Sequence, residues 1–127
     1  TLHETDTMTA LTKGPKFDLI LSNPPYEPEG IYRRLPAEFK KEPKGSLVSG
    51  KDGLDVIRKL LTQARESLKP HGILVIEVGG LQKTMHLAWP KLPIMWLPTA
   101  DGADCVCLIH ASDLRRELPS PSARRGR

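Results

Sequence analysis

Apolar positions along the chain fall into runs with distinct periods. Lys16 to Ser22 (KFDLILS) is a short apolar run that meets Asn23-Pro24-Pro25. A strand must stop there, because proline offers no ladder donor and Pro25 disfavours a helical conformation at Pro24. Leu54, Ile57, Leu60, Leu61, Ala64 and Leu68 recur at helical spacing. They predict an amphipathic helix N-capped by Asp52, with Asp55 as a capping-box partner, and ended by Lys69-Pro70-His71-Gly72. Ile73 to Val78 is apolar on both faces up to Glu77, which suits a parallel strand covered on both sides. Gly79-Gly80 ends it, and Leu81 to Trp89 predicts a short helix broken by Pro90. Ile94 to Leu97 and Cys105 to Ile109 are two strands joined through Thr99 to Asp104, whose Asp-Gly turn predicts an antiparallel pair. Between Tyr26 and Lys51 the prolines and glycines leave no sustained period, and a loop of that length in a small domain is usually functional or disordered.

The resulting order is strand, long loop, helix, strand, short helix, strand, strand. It predicts an α/β domain with a mainly parallel sheet and an antiparallel last strand. The 127 residues and 39% hydrophobic content are those of one small globular domain. No run approaches the ~18 apolar residues of a membrane span, and Thr1-Leu2-His3-Glu4 lacks the pattern of a signal peptide. A soluble, cytoplasmic protein is expected. The net charge of +4 resides mostly at the end. Residues 1–110 carry 14 basic against 13 acidic side chains, whereas Arg115, Arg116, Arg124, Arg125 and Arg127 face only Asp113 and Glu117. Residues 113–127 read as a disordered basic tail, with the domain at 1–112. The charge therefore gives little reason to expect direct nucleic-acid binding. Cys105 and Cys107 lie on one strand face ~6.6 Å apart. With His110 they lack the spacing of a closed zinc site, so no metal is expected and the thiols read as small core residues.

The chemistry concentrates at Asn23-Pro24-Pro25-Tyr26. In open α/β sheets ligands bind beyond the carboxyl ends of parallel strands, which is where this tetrapeptide falls. An Asn side-chain oxygen and a backbone carbonyl can together accept both hydrogens of a planar NH2 group. A Pro-Pro backbone holds its carbonyl stiffly, and Tyr26 offers a flat face for stacking. An amide nitrogen is a poor nucleophile, so its partner must be a very reactive electrophile such as a sulfonium methyl. Asn-Pro is also a common turn initiator, and the tetrapeptide by itself fits a plain turn equally well. The strand before it and the loop after it are what the site reading requires.

FDLILSNPPY, then Glu42-Pro43, LVSGKDGLDVIRKLL and HGILVIEVG resemble the S-adenosylmethionine-dependent protein-glutamine methyltransferases. These modify release factors or ribosomal proteins, and the Leu35-Pro36-Ala37-Glu38-Phe39 and Gly50-Lys51-Asp52-Gly53-Leu54 runs are most similar to the branch acting on ribosomal protein number three of the large subunit. The resemblance covers roughly residues 4 to 112. It implies the C-terminal half of a Rossmann-like class I methyltransferase sheet, S-adenosylmethionine as cofactor and a protein substrate. Asn23 and the Pro24 carbonyl would hold the glutamine amide, with Asn23 also at the cofactor. Pro25 would stiffen the loop, and Tyr26 would pack against the substrate. Asp6 would sit near the adenine, and Glu42 and Pro43 would shape the substrate loop with Asp52-Gly53.

The sequence departs from that family where the Gly-rich loop after the first strand, the ribose-binding acidic residue and the N-terminal helical domain should be. The expectation is a partial catalytic domain, inactive alone, belonging to a longer enzyme. Two further readings stand beside it. One is a methyltransferase acting on a nucleic-acid base amino group. The other is a noncatalytic remnant, or a half needing a partner chain through its unpaired first strand.

Overall fold

The computed structural model describes residues 2–5, 7–28, 30, 34, 37–38 and 49–120. Strand β1 (Phe17–Ser22) is followed by helix α1 (Asp55–Ser67), strand β2 (Leu68–Glu77) and helix α2 (Gln82–Ala88). Strands β3 (Met95–Leu97) and β4 (Val106–His110) and helix α3 (Ala111–Glu117) complete the chain order, after a 3-10 turn at Thr9–Leu11. The sheet order is β1-β2-β4-β3. β1 and β2 are parallel, and β4 runs antiparallel to both β2 and β3. Hence β1, β2 and β3 share one direction and only the last strand opposes them, as the run order predicts.

Strand register sorts the side chains. Paired residues of neighbouring strands share a face, so Ile20, Leu74 and Ile109 form one row and Leu21, Val75, Leu108 and Met95 form the next on the other side. The first row is buried together with Ile76 and Cys107. Helix α1 closes over that face with Ile57, Leu60, Leu61 and Ala64, all buried at helical spacing, and α3 adds Ala111 and Leu114. The second row stays open. Leu21 is 68% exposed and Met95 56%, so the two-sided cover expected of the Ile73–Val78 run is present on one face only among the described residues.

Three expectations shift. Helix α1 stops at Ser67 and the chain turns directly into β2 at Leu68, so Lys69 to Gly72 lie inside a strand. The sheet accommodates Pro70 through a register shift between Phe17, opposite Leu68, and Leu19, opposite Ile73. The extra residues of β2 bulge there, and Pro70 is exposed with no ladder bond to forfeit. Asp52 is not the α1 cap residue, which is Leu54. Its carboxylate accepts the Leu54 N–H at 3.0 Å, while the Val56 N–H, in the first turn where no helix carbonyl can reach it, donates to Ser49 Oγ at 2.7 Å. Finally, residues 113–117 are helical rather than tail. Ala111, Leu114 and the partly buried Leu118 give this stretch an apolar side against the core. The Arg115 guanidinium donates to the carbonyls of Leu68 and Lys69. Residues 121–127 lie outside the described residues.

Candidate functional site

β1 delivers Asn23 to the carboxyl end of the parallel β1–β2 pair, where Ser22 stands opposite Ile76. Asn23 is exposed, Pro24 is buried and Tyr26 is half-buried. Among the described residues the Asn23 amide makes no hydrogen bond, and the residue is open to solvent. Pro24 and Pro25 form part of the wall of a cavity of about 370 Å³, with Thr5, Thr7, Met8, Val56 and Leu60 around it. A second hollow, on the open side of the sheet, is lined by Leu21, Ser22, Asn23, Val75, Glu77 and Val106. Ser22 lines both, so the end of β1 is the partition between them.

The Thr7–Met8 part of the wall is held by Gln63 of α1. Its side-chain oxygen accepts the Thr7 hydroxyl at 2.6 Å and the Met8 N–H at 3.0 Å. Its amide nitrogen donates to Thr9 Oγ1 at 2.9 Å. Thr7 itself has φ +65°, a left-handed conformation costly for a branched residue, so this bridge holds a backbone shape that the segment would not adopt alone. Asp6, expected near the adenine, lies outside the described residues, as do Glu42 and Pro43.

Tyr26 is the most constrained member. Its hydroxyl donates to Glu77 Oε1 at 3.3 Å. A Cβ on Gly79 would lie 2.5 Å from Tyr26 Cε2, so the ring rests directly on that glycine. A Cβ on Gly53 would lie 2.3 Å from the Tyr26 carbonyl oxygen. Both glycines also have positive φ, +80° at Gly53 and +53° at Gly79, so neither conformation nor space admits a side chain. Burial, then the nearby Glu77 charge and hydrogen bond, raise the Tyr26 phenol above its ordinary value. Behind it, Ser49 donates its N–H to the Glu27 carbonyl at 3.0 Å and accepts the Asp55 N–H at 3.3 Å. Asp52 thus braces the residue before α1 while Gly53 packs against the Tyr26 carbonyl.

Beside Asn23, Pro24, Pro25 and Tyr26, which the sequence singles out, the structure places Ser49, Glu77 and Gly79, which it does not. Glu77 carries a signal, as the one charge interrupting an apolar run, but its partner is 51 residues away. Among the described residues no group of three His, Cys, Asp or Glu side chains could hold a metal ion, and no helix is long and apolar enough to cross a membrane.

A mixed sheet with an antiparallel last strand, carrying Asn-Pro-Pro-Tyr at a parallel strand end, defines part of a Rossmann-like methyltransferase fold. The sequence makes the family narrower. The chain is 41% identical over 99 residues to the ribosomal protein uL3 glutamine methyltransferase of Burkholderia pseudomallei, covering 78% of this chain and 32% of that protein. It is 43% identical over 115 residues to the protein of that name in Bradyrhizobium diazoefficiens, covering 90% and 35%. The Francisella tularensis relative is 40% identical over 101 residues, covering 80% and 32%. No family model matches the chain. The chain thus belongs with the protein-glutamine methyltransferases, and it spans about a third of the length of the curated relatives it matches.

Proposed function

We propose that this chain supplies the acceptor-gripping part of an S-adenosylmethionine-dependent methyltransferase that modifies a glutamine side-chain amide in a ribosomal protein. The carrying observation is the exposed Asn23, unpartnered among the described residues, beside a buried Pro24 and a Tyr26 seated on two glycines. Asn23 Oδ1 and the Pro24 carbonyl accept the two amide hydrogens and so fix the nitrogen's orientation. Those bonds strengthen as positive charge builds on the nitrogen, which favours the transition state over the ground state. Tyr26 confines the amide plane, and no general acid is needed because a thioether leaves unassisted. After transfer the methylated nitrogen loses one proton to water, restoring a neutral amide.

The cavity at Pro24 and Pro25 suits the cofactor in part. Its size lies within the ordinary range for small-molecule sites, and Met8, Val56 and Leu60 give it apolar walls against which a purine can lie. Thr5 and Thr7 line it as well. When bound, S-adenosylmethionine supplies an electrophilic methyl group. Nothing in the sequence provides the Gly-rich loop or the ribose-binding carboxylate, so this chain alone is expected to bind the cofactor weakly and to be inactive. Calorimetry with S-adenosylmethionine tests that directly, and micromolar binding by the 127 residues would contradict it.

The experiment for the acceptor role grafts this chain in place of the 99 matching residues of the Burkholderia pseudomallei relative. Asn23→Ala in that graft should lower methyl incorporation into a glutamine peptide at least ~100-fold, the order seen when a transition-state hydrogen bond is removed. Near-normal turnover, or preferential labelling of ribosomal RNA over protein, would sink the assignment.

A further inference from the structure

Glu77 closes an apolar run, Ile73-Leu74-Val75-Ile76, at the end of β2, and it lines the hollow that also holds Asn23. A carboxylate at that point has to be satisfied or it costs desolvation energy. Its partner is the Tyr26 hydroxyl at 3.3 Å, a contact longer than the ~2.7–2.8 Å of a tight O–H···O bond. Such slack is common in unliganded sites and closes when the reacting groups are in place. Independently, Gly79 lies against the ring and Gly53 against the carbonyl of the same residue. The ring's floor and backbone are thereby fixed, and what remains free is rotation about its side-chain torsions. The hydroxyl, at the far end of the ring axis, anchors the swing of the ring about its first torsion.

We propose that Glu77 is a positioning residue for the acceptor amide, fixing the direction in which the Tyr26 ring points across Gly79 so that the amide is held against Asn23. This rests on the reading of Asn23-Pro24-Pro25-Tyr26 as the amide grip. Glu77 touches neither methyl donor nor acceptor; it acts through the Tyr26 hydroxyl. A misplacement of the acceptor by about 1 Å can cost on the order of 100-fold in rate. Loss of Glu77 therefore falls on kcat more than on the KM for the glutamine peptide.

Two measurements decide it. In the 127-residue chain with its other tyrosine replaced, Tyr32→Phe, NMR titration of the Tyr26 ring should show Glu77→Gln lowering the phenol pKa. The other groups acting on that phenol, Glu27 and Cys105, are unchanged by the substitution. A titration that does not move overturns the contact, whether or not a graft is active. In the graft, Glu77→Ala should lower kcat about 10- to 100-fold, and Glu77→Gln, which keeps an acceptor oxygen, should restore most of it. Tyr26→Phe combined with Glu77→Ala should be no worse than the more damaging of the two alone. Additive losses, or an equal loss in Glu77→Gln and Glu77→Ala, would overturn the positioning role. The parent reading is separable. If Asn23→Ala leaves transfer intact, the amide grip fails; if Asn23→Ala abolishes it while Glu77→Ala changes nothing, only the role of Glu77 fails.

Discussion

Single residues in this chain show how far local chemistry is set by distant packing. Cys105 and Cys107 are two apart in sequence, yet their environments differ. Cys107 is fully buried on β4, and burial pushes its thiol up to about 12. Cys105 precedes the strand, is only half-buried, and accepts the Val78 N–H on its carbonyl at 2.8 Å. Thiolate, not thiol, attacks disulfide reagents. At pH 8 an aromatic disulfide should therefore modify one cysteine per native chain and two after denaturation, with mass mapping placing the native label on Cys105. Labelling of Cys107 at a comparable rate would show that β4 opens readily. The reading of Cys107 as a core residue was legible from an apolar run. The anchoring of Tyr26 was not: Asn23 to Tyr26 stand out as a motif, whereas Glu77 and Gly79 acquire their roles only when β2 is laid beside β1.

The elements show the same division between pattern and register. Strand β1, the apolar face of α1, the β3–β4 hairpin and the antiparallel last strand all follow from periods and turn residues. The start of β2 does not, because Lys69-Pro70-His71-Gly72 carries the residues of a terminator and a bulge absorbs them. Helix α3 was hidden because its apolar side is short and is set among arginines. Its contribution is testable. Leu114 is fully buried, so Leu114→Ala should cost ~2–5 kcal/mol of unfolding free energy. A Leu114→Ala chain as stable as the original would return α3 to the status of a tail. The α1 start makes a pH prediction. The Arg58 guanidinium, then the Leu54 N–H, hold the Asp52 carboxyl down at about 2, below its ordinary 3.8. Because the folded value is the lower one, the stabilisation is complete above pH 3.8 and fades as pH falls through 2. Asp52 and Arg58 are 40% and 46% exposed, so solvent screening limits the pair to about 1 kcal/mol or less. The stability gap between the original chain and Arg58→Met should shrink as pH is lowered from 4 to 2 and with added salt. A gap constant across that range would remove the ion pair from the account.

At the scale of the molecule, the sheet is covered on one side only among the described residues. Leu21, Val75, Leu108 and Met95 cross all four strands as a continuous apolar row, with Leu19 47% exposed beside it. β1 pairs only with β2 among the described residues, leaving its other edge with unpaired backbone groups. An open apolar face next to an open strand edge is a template for association. The chain also matches relatives about three times its length, whose remaining sequence is available to cover such a face. Supplied alone, the 127 residues should therefore self-associate, and the contact should run through this row and edge. Sedimentation over a tenfold range of concentration should show mass rising with concentration, and Leu21→Lys should hold the chain monomeric without loss of helical signal. In the graft the same lysine would sit against whatever covers the row, and it should lower the denaturation midpoint instead of raising solubility. The sign reversal between the two settings is what identifies the face as an interior surface. Leu21→Lys that is harmless in the graft would mean that the row faces solvent there too, and that β1 is a true edge of the complete sheet.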